Sequence, residues 1–301
     1  MNSTLTPTDA AAMHQGGMRF GELRTLIENG IDLEGYLAMT DTELASLKLR
    51  RVIPQHRDLG DCQVLLRTDP RYPRQLLNTK NPPELLYVRG SLDALDWGVA
   101  VIGTRDMTRI GAAVATAAVA AAGTVDAPVV SGLARGCDIT AHRAALDAGL
   151  QTVAVLACGI DETYPKEHGD DVEKILAGGG AVISEQPFTT AVNPQRLMAR
   201  NRIIVGLSAC VIPCEAGRNS RGTIQAVGTA FAEGRFVIAA RVKESWRAAP
   251  GAWLSERLTR ADVPVADLGW VNAAEAGANG VAETGADLAE MVRFSVLFQR
   301  A

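Results

Sequence analysis

Aromatic residues are scarce in this 301-residue chain, at 5%, and only five cysteines occur. Cys62, Cys137, Cys158, Cys210 and Cys214 are odd in number, lie mostly inside apolar runs and form no Cys-x-x-Cys pair. That pattern speaks against a disulfide framework or a zinc knuckle, and reduced thiols are expected. No apolar run approaches the roughly 20 residues of a membrane span. The opening MNSTLTPTDAAAMHQGG has neither the basic start nor the apolar core of a secretory leader, so a cytoplasmic chain with no membrane partner is expected. Positive charge is also in short supply. A formal net charge of −4 excludes a protein that coats nucleic acid through bulk charge, so any polyanion site has to be local.

Familiar catalytic signatures are missing as well. In GTRDMTRIG, Arg105 stands where a dinucleotide fingerprint needs a glycine for close approach of a pyrophosphate, which argues against NAD. GRNSRGT, Gly217 to Thr223, has the glycine spacing and threonine of a phosphate-binding loop but no lysine, which argues against ATP hydrolysis by that route. Ser131 and Ser184 both lack the first glycine of a nucleophile elbow. Asp138 and His142, four apart on a helix, have a metal-capable spacing but no third ligand; a helix cap for Asp138 and a hydrogen bond within the fold for His142 are expected. Glu185 and Glu215 serve as general bases only with a substrate between them, and are read as orienting an arginine or a loop amide. These residues imply no cofactor, no metal and no catalytic constellation.

What is present is a rhythm. Residues 1–16 are small and polar and are expected to fray. Phe20, Leu23, Leu26 and Ile27 then recur at helical spacing up to a break at Asn29-Gly30, and Thr40-Asp41-Thr42-Glu43 opens another short helix. Residues 1–61 thus read as a small helical domain, loosely like a sterile-alpha-motif module. Four prolines between Leu66 and Gly90 stiffen a lead-in to one strand at Leu85–Val88. Strands at Val99–Ile102, Pro128–Val130, Thr152–Ala157, Ala181–Ile183, Ala209–Ile212 and Phe236–Ala239 alternate with helices at Ile110–Ala122, Ile139–Ala148, Asp170–Ala177 and Thr223–Glu233. Strands apolar on both faces imply an α/β domain, residues 66–267, with a doubly wound, mostly parallel Rossmann-like sheet. Residues 268–301 form a short C-terminal extension ending in a helix-like run, Ala286–Phe298. The apolar runs around Ala209–Ile212 and Phe231–Ala239 exceed what one compact domain obviously needs, which points to a homodimer.

Glycines fall where strands end, at Gly103, Gly132, Gly136 and Gly159, so the functional edge is expected at the carboxyl ends of the strands. From Thr190 to Gln225 five arginines face one acid, Glu215. Gly103, Thr104 and Arg105 at the first strand end, Ser131 and Gly132 at the second, Lys166 after Tyr164-Pro165, and Arg200, Asn201 and Arg202 opening a later helix make a rim of phosphate donors. Arg221, Gly222 and Thr223 extend it.

These pieces, in this order, resemble the DNA-processing protein A family, also called Smf. YPRQLLNTKNPPELLYVRG, VAVIGTR, SGLARGCDITAHRAAL, ACGIDETYPKEH, ISEQP, RNRIIVGLS and CEAGRNSRGT carry a resemblance that spans about Tyr72 to Ala240, most of the α/β domain. The resemblance implies a Rossmann-like domain that dimerises, binds single-stranded DNA in a positively charged pocket without catalysis, and loads a RecA-type recombinase in recombination or natural transformation. It places the family's pocket arginine on Arg105 and its lysine on Lys166. Ser220-Arg221-Gly222-Thr223 departs from the family's Ser-Gly-[Ser/Thr], shifting the glycine and adding a cation. Two other readings share this crevice: a sensor of a nucleotide signal, and a nucleotide phosphoribohydrolase whose Gly-Gly-x-Gly-Thr loop resembles Gly217–Thr223. The hydrolase needs a glutamate shortly after that loop, where this chain has Ile224-Gln225.

Overall fold

A computed structural model describes residues 4–240, 250–259, 280–282 and 285–300. Its strands are β1 (Gln63–Leu66), β2 (Leu85–Gly90), β3 (Gly98–Ile102), β4 (Val129–Ser131), β5 (Thr152–Val155), β6 (Ala181–Ser184), β7 (Ser208–Pro213), β8 (Phe236–Ala240) and β9 (Gly280–Ala282). They form one sheet in the order β1-β2-β6-β5-β4-β3-β7-β8-β9. The first two pairings, β1 with β2 and β2 with β6, are antiparallel; every later one is parallel. The doubly wound α/β expectation is met, and β1, a strand the proline-rich lead-in concealed, adds an antiparallel edge.

The helices are α1 (Pro7–Gln15), α2 (Phe20–Glu28), α3 (Leu33–Ala38), α4 (Asp41–Ser46), α5 (Arg74–Leu77), α6 (Arg109–Gly123), α7 (Cys137–Asp147), α8 (Gly169–Ala177), α9 (Pro194–Ala199), α10 (Asn201–Gly206), α11 (Arg221–Ala232), α12 (Trp253–Thr259) and α13 (Gly285–Arg300). Alternation along the strands sorts the core. Val99, Val101, Cys210 and Ile212 face α6, α7 and α13, whereas Ala100, Ile102, Val211 and Val237 face α10, α11 and α12. The alanine-rich face of α6, with Ala115, Ala118 and Ala122 fully or nearly fully buried, lets that helix lie close on the sheet. Residues 209–212 are completely buried within the single chain. Their apolarity is used by the sheet and leaves no surplus that requires a second copy.

One expectation is corrected. Residues 7–15 do not fray: Thr6 caps α1 by accepting the Asp9 amide, Pro7 opens it, and Ala10, Ala11, Ala12 and Met13 are buried. Small side chains that look like a loop composition are here the close-packing face of a helix. The N-terminal helices also share a core with the sheet, in which Met13, Leu23, Leu26 and Tyr36 join Val64, Leu85, Tyr87 and Val182. Buried Glu84 binds Arg67 at 2.9 Å and also pairs with Arg24 of α2. At the other end, α13 packs Leu288, Val292 and Val296 into the sheet as one of its covering helices. The boundary at residue 267 lies outside the described residues.

Candidate functional site

The strand order reverses between β3 and β7, so the segments leaving their carboxyl ends turn to opposite faces and open a crevice. A cleft of about 720 Å³ lies there, lined by Gly103–Asp106, Asp138, parts of α9 and α10, and residues 219–223 at the start of α11. Its size is within the roughly 300–1,000 Å³ typical of small-ligand sites. The β3–α6 loop is held by main-chain bonds on both sides: Cys214 N to Ile102 O at 2.9 Å, Thr104 N to Glu215 O at 2.8 Å, and Cys137 N to Thr104 O at 3.1 Å. Gly136 makes the last contact possible. Its φ of +73° and a Cβ that would stand 2.4 Å from Thr104 O leave no other residue type without strain. The buried Glu215 carboxylate accepts Thr108 N at 2.8 Å and Thr108 Oγ1 at 3.0 Å, the loop-orienting role expected of it.

That scaffold displays Arg105. Its side chain is exposed and makes no hydrogen bond or ion pair with any described residue. Facing it across the cleft is the amino end of α11. Ser220 supplies no side-chain cap, and among the described residues the Gly222 and Thr223 amides have no acceptor and exposed Arg221, at the first helical position, has no hydrogen-bond or ion-pair partner. Free amides and the positive end of the helix dipole favour an anion there.

The other arginines of the Thr190–Gln225 cluster are engaged inside the chain. Arg196 donates to Gln186 Oε1 at 3.0 Å and to Ala191 O at 2.7 Å. Arg218 lies 5.9 Å from the Trp253 ring centroid. Arg202 binds Glu185 at 2.5 Å, so Glu185 also orients an arginine. Arg200 is buried, donates to the Gly132 and Val155 carbonyls and stands 3.6 Å from Asp138. Burial lowers the Arg200 pKa and raises that of Asp138, each opposed by the charge of the other. Gly132 is small because Arg200 covers it: a Cβ would fall 2.1 Å from the guanidinium carbon. Ser131 is buried and donates to Val101 O at 2.7 Å. Asn201 Nδ2 donates to Gly222 O at 3.1 Å and Gln225 Oε1 at 2.8 Å, tying α10 to α11.

Asp138 does not cap α7. Gly136 holds the cap position, and Asp138, the second residue of the first turn, accepts the Ala134 amide at 3.3 Å instead. His142 bonds within the fold as expected, Nδ1 to Thr152 Oγ1 at 2.7 Å. Thr152 spends its own proton on Val129 O at 2.8 Å, so His142 Nδ1 is the donor and Nε2 carries the lone pair. Among the described residues no cluster could hold a metal ion. Lys166 is exposed and is not one of the cleft's lining residues; its turn is fixed by His168, which donates from Nδ1 to Leu133 O at 2.8 Å. Leu197 and Met198 are lining residues that sequence reasoning missed. The signal for their helix was Asn193-Pro194: Asn193 caps α9 by accepting the Arg196 amide, and Pro194 opens it.

With this geometry in place, the family model for DNA recombination-mediator protein A matches residues 63–258. The chain belongs to that family. It is 37% identical over 169 residues to Protein Smf of Escherichia coli, a match covering 56% of this chain and 45% of that one. It is 34% identical over 208 residues to DNA processing protein DprA of Streptococcus pneumoniae, covering 69% of each. The chain spans about half the length of the first curated relatives it matches. The X-ray structure of DNA processing protein A from S. pneumoniae superposes with a TM-score of 0.72 over 96% of this chain and 99% of that one, at 24% identity. A structure that describes the single-stranded DNA binding mode of the Helicobacter pylori protein superposes with a TM-score of 0.61 over 77% of this chain and 96% of that one, at 22% identity. Both share the Rossmann-like fold. Of the turn sequences read above, VAVIGTR and CEAGRNSRGT leave β3 and β7 at the switch point.

Proposed function

We propose that this DNA-processing family member binds single-stranded DNA in the β3/β7 cleft and delivers it to a RecA-type recombinase from the cytoplasm, as a homodimer and without catalysis. One observation carries the reading: Arg105 and Arg221, both exposed and without a partner among the described residues, line one cleft with Gly222 and Thr223 in a chain whose net charge is −4. Gly103, Thr104, Arg105, Arg221, Gly222 and Thr223 are assigned to phosphate contact, with Lys166 on the flank. Arg200, Asn201, Arg202, Ser131 and Gly132 support the rim, as do Asp138, Glu185 and Glu215. Assembly is supported by α13, which leaves Phe294, Leu297 and Phe298 at 59%, 55% and 61% exposure.

Each phosphate neutralised on a single strand contributes about −0.7 to the slope of log affinity against log salt. Arg105→Ala is therefore expected to weaken binding of a labelled thirty-residue oligo-dT by tenfold or more in fluorescence anisotropy, and to flatten the slope by about one contact. Lys166→Ala gives a smaller version of the same change. An Arg105→Ala protein that binds as tightly as the parent at every salt concentration would overturn the assignment.

A further inference from the structure

Two buried cysteines meet under the loop that displays Arg105. Cys214 follows β7 and Cys137 opens α7, and the exit of β3 runs between them: Cys214 N binds Ile102 O at 2.9 Å and Cys137 N binds Thr104 O at 3.1 Å. The register that sets Val101 beside Ile212 and Ile102 beside Pro213 brings Cys214 level with Gly103, on the face of Val101. The Cys137 side chain fills the place that Gly103 leaves free, since a Cβ on Gly103 would stand 2.8 Å from Cys137 Cβ and 2.9 Å from its Sγ. There the thiols of Cys137 and Cys214 are hydrogen-bonded to each other.

Packing alone asks only for small apolar side chains at such positions, and a single buried thiol is inert. Two thiols in contact differ, because the second can resolve the first once it is oxidised. The hydrogen bond to Cys214, together with burial, holds the Cys137 pKa well above the usual thiol value, so the reaction is slow and answers to sustained oxidant. Gly103 itself lines the cleft, which gives a molecule as small as hydrogen peroxide a short path to the sulfurs.

The pair also sits at both anchors of the Arg105 loop. Glu215, next to Cys214, accepts Thr104 N on its main-chain oxygen at 2.8 Å and Thr108 N on its carboxylate at 2.8 Å, while Cys137 N holds Thr104 O. A disulfide sets its sulfurs about 2.05 Å apart and its Cβ atoms roughly 3.5–4.5 Å apart. Drawing the sulfurs from hydrogen-bond contact to a covalent bond moves those anchors with them.

We propose that Cys137 and Cys214 form a redox-sensitive dithiol, which hydrogen peroxide closes into a disulfide that shifts the Arg105 loop and weakens anion binding in the cleft. One thiolate attacks the peroxide and becomes a sulfenic acid, releasing water; the other thiol attacks that sulfur and releases a second water. One S–S bond forms, two S–H bonds and the O–O bond break, and the two electrons lost by sulfur reduce the peroxide. The effect on affinity rests on the DNA-binding reading above; the disulfide does not.

The full chain is treated with hydrogen peroxide, unfolded and titrated for free thiols. The five thiols of the untreated chain are expected to fall to three, with a tryptic digest joining Gly136–Arg143 to Ile203–Arg218. The treated, folded protein binds thirty-residue oligo-dT about tenfold more weakly, the loss expected when the Arg105 contact is gone. Dithiothreitol restores the affinity, which it would not do after methionine oxidation. Cys214→Ala, and independently Cys137→Ala, bind the strand as the untreated parent does and lose no affinity to peroxide. Five free thiols after treatment, or a different linkage, overturn the pair. A disulfide that forms without changing affinity overturns the shift of the loop. Failure of the untreated parent to bind the strand overturns the DNA reading and with it the effect on affinity, while the thiol count still decides the disulfide.

Discussion

Arg105 and Arg200 are the same side chain put to opposite uses, and the difference lies in what surrounds the guanidinium. Arg105 projects from a loop anchored through the Thr104 and Thr108 amides, and its exposed charge stays solvated and available. Arg200 is 6% exposed, and its donors meet the Gly132 and Val155 carbonyls with Asp138 at 3.6 Å. Removing it leaves the buried Asp138 carboxylate without its counter-charge and takes the guanidinium from two carbonyls, a loss of about 3–5 kcal/mol. Arg200→Ala is accordingly expected to lower the melting temperature by about 10 °C, whereas Arg105→Ala moves it by no more than about 2 °C. Circular dichroism melts of the two variants check this. Equal melting temperatures would show that Arg200 is not the staple between β4, β5 and α7 that its contacts describe.

At the scale of elements, α7 is joined to β5 by His142, and that bond makes the fold sensitive to acid. Burial holds the His142 pKa down at about 3, with the Arg200 charge adding to the effect and Asp171 opposing it. His14 of α1, facing the Tyr87 hydroxyl, is likewise lowered to about 4 by burial. A base whose folded pKa lies below its unfolded value of about 6.5 binds fewer protons folded than unfolded. Its share of stability is therefore complete above that value and is lost as pH falls from about 6.5 towards the folded pKa. The slope reaches at most about 1.4 kcal/mol per pH unit for each histidine. Asp138, raised by burial, acts in the opposite direction. Urea unfolding is expected to show the parent losing stability between pH 6.5 and 5, and His142→Gln losing less over the same interval. Parallel curves for the two proteins would remove His142 from the account.

For the whole molecule, the question is what covers α13. A stripe of Phe294, Leu297 and Phe298, with Phe294 and Phe298 each in edge contact with Phe236 at 5.8 Å, is a large apolar surface for the outer helix of an isolated chain. Light scattering at tens of micromolar is expected to give twice the 31.8 kDa mass of the chain, and Phe294→Asp with Phe298→Asp to halve it. A monomer mass for the parent protein would end the homodimer proposal. The internal apolar strands cannot rescue it, since residues 209–212 are fully buried by the chain's own helices.

The strand–helix rhythm, the parallel sheet and a cleft at its carboxyl edge were all legible in the sequence, because they depend on local pattern. A buried parallel strand needs an unbroken apolar run such as GVAVI, and its sharp exit needs a glycine, so Gly98–Ile102 and Gly103 declare themselves without reference to anything distant. The seven motifs placed Arg105 and Arg221 on the rim for the same reason. Which arginines stay free could not be read that way. Arg196, Arg200, Arg202 and Arg218 carry the same charge in the sequence as Arg221, and only the approach of Gln186, Gly132, Glu185 and Trp253, far away along the chain or across a turn, decides that each has a partner within the chain. The helix α1 and the place of Leu197 and Met198 in the cleft lining were hidden likewise, since burial is a property of what packs against a side chain and not of the side chain itself.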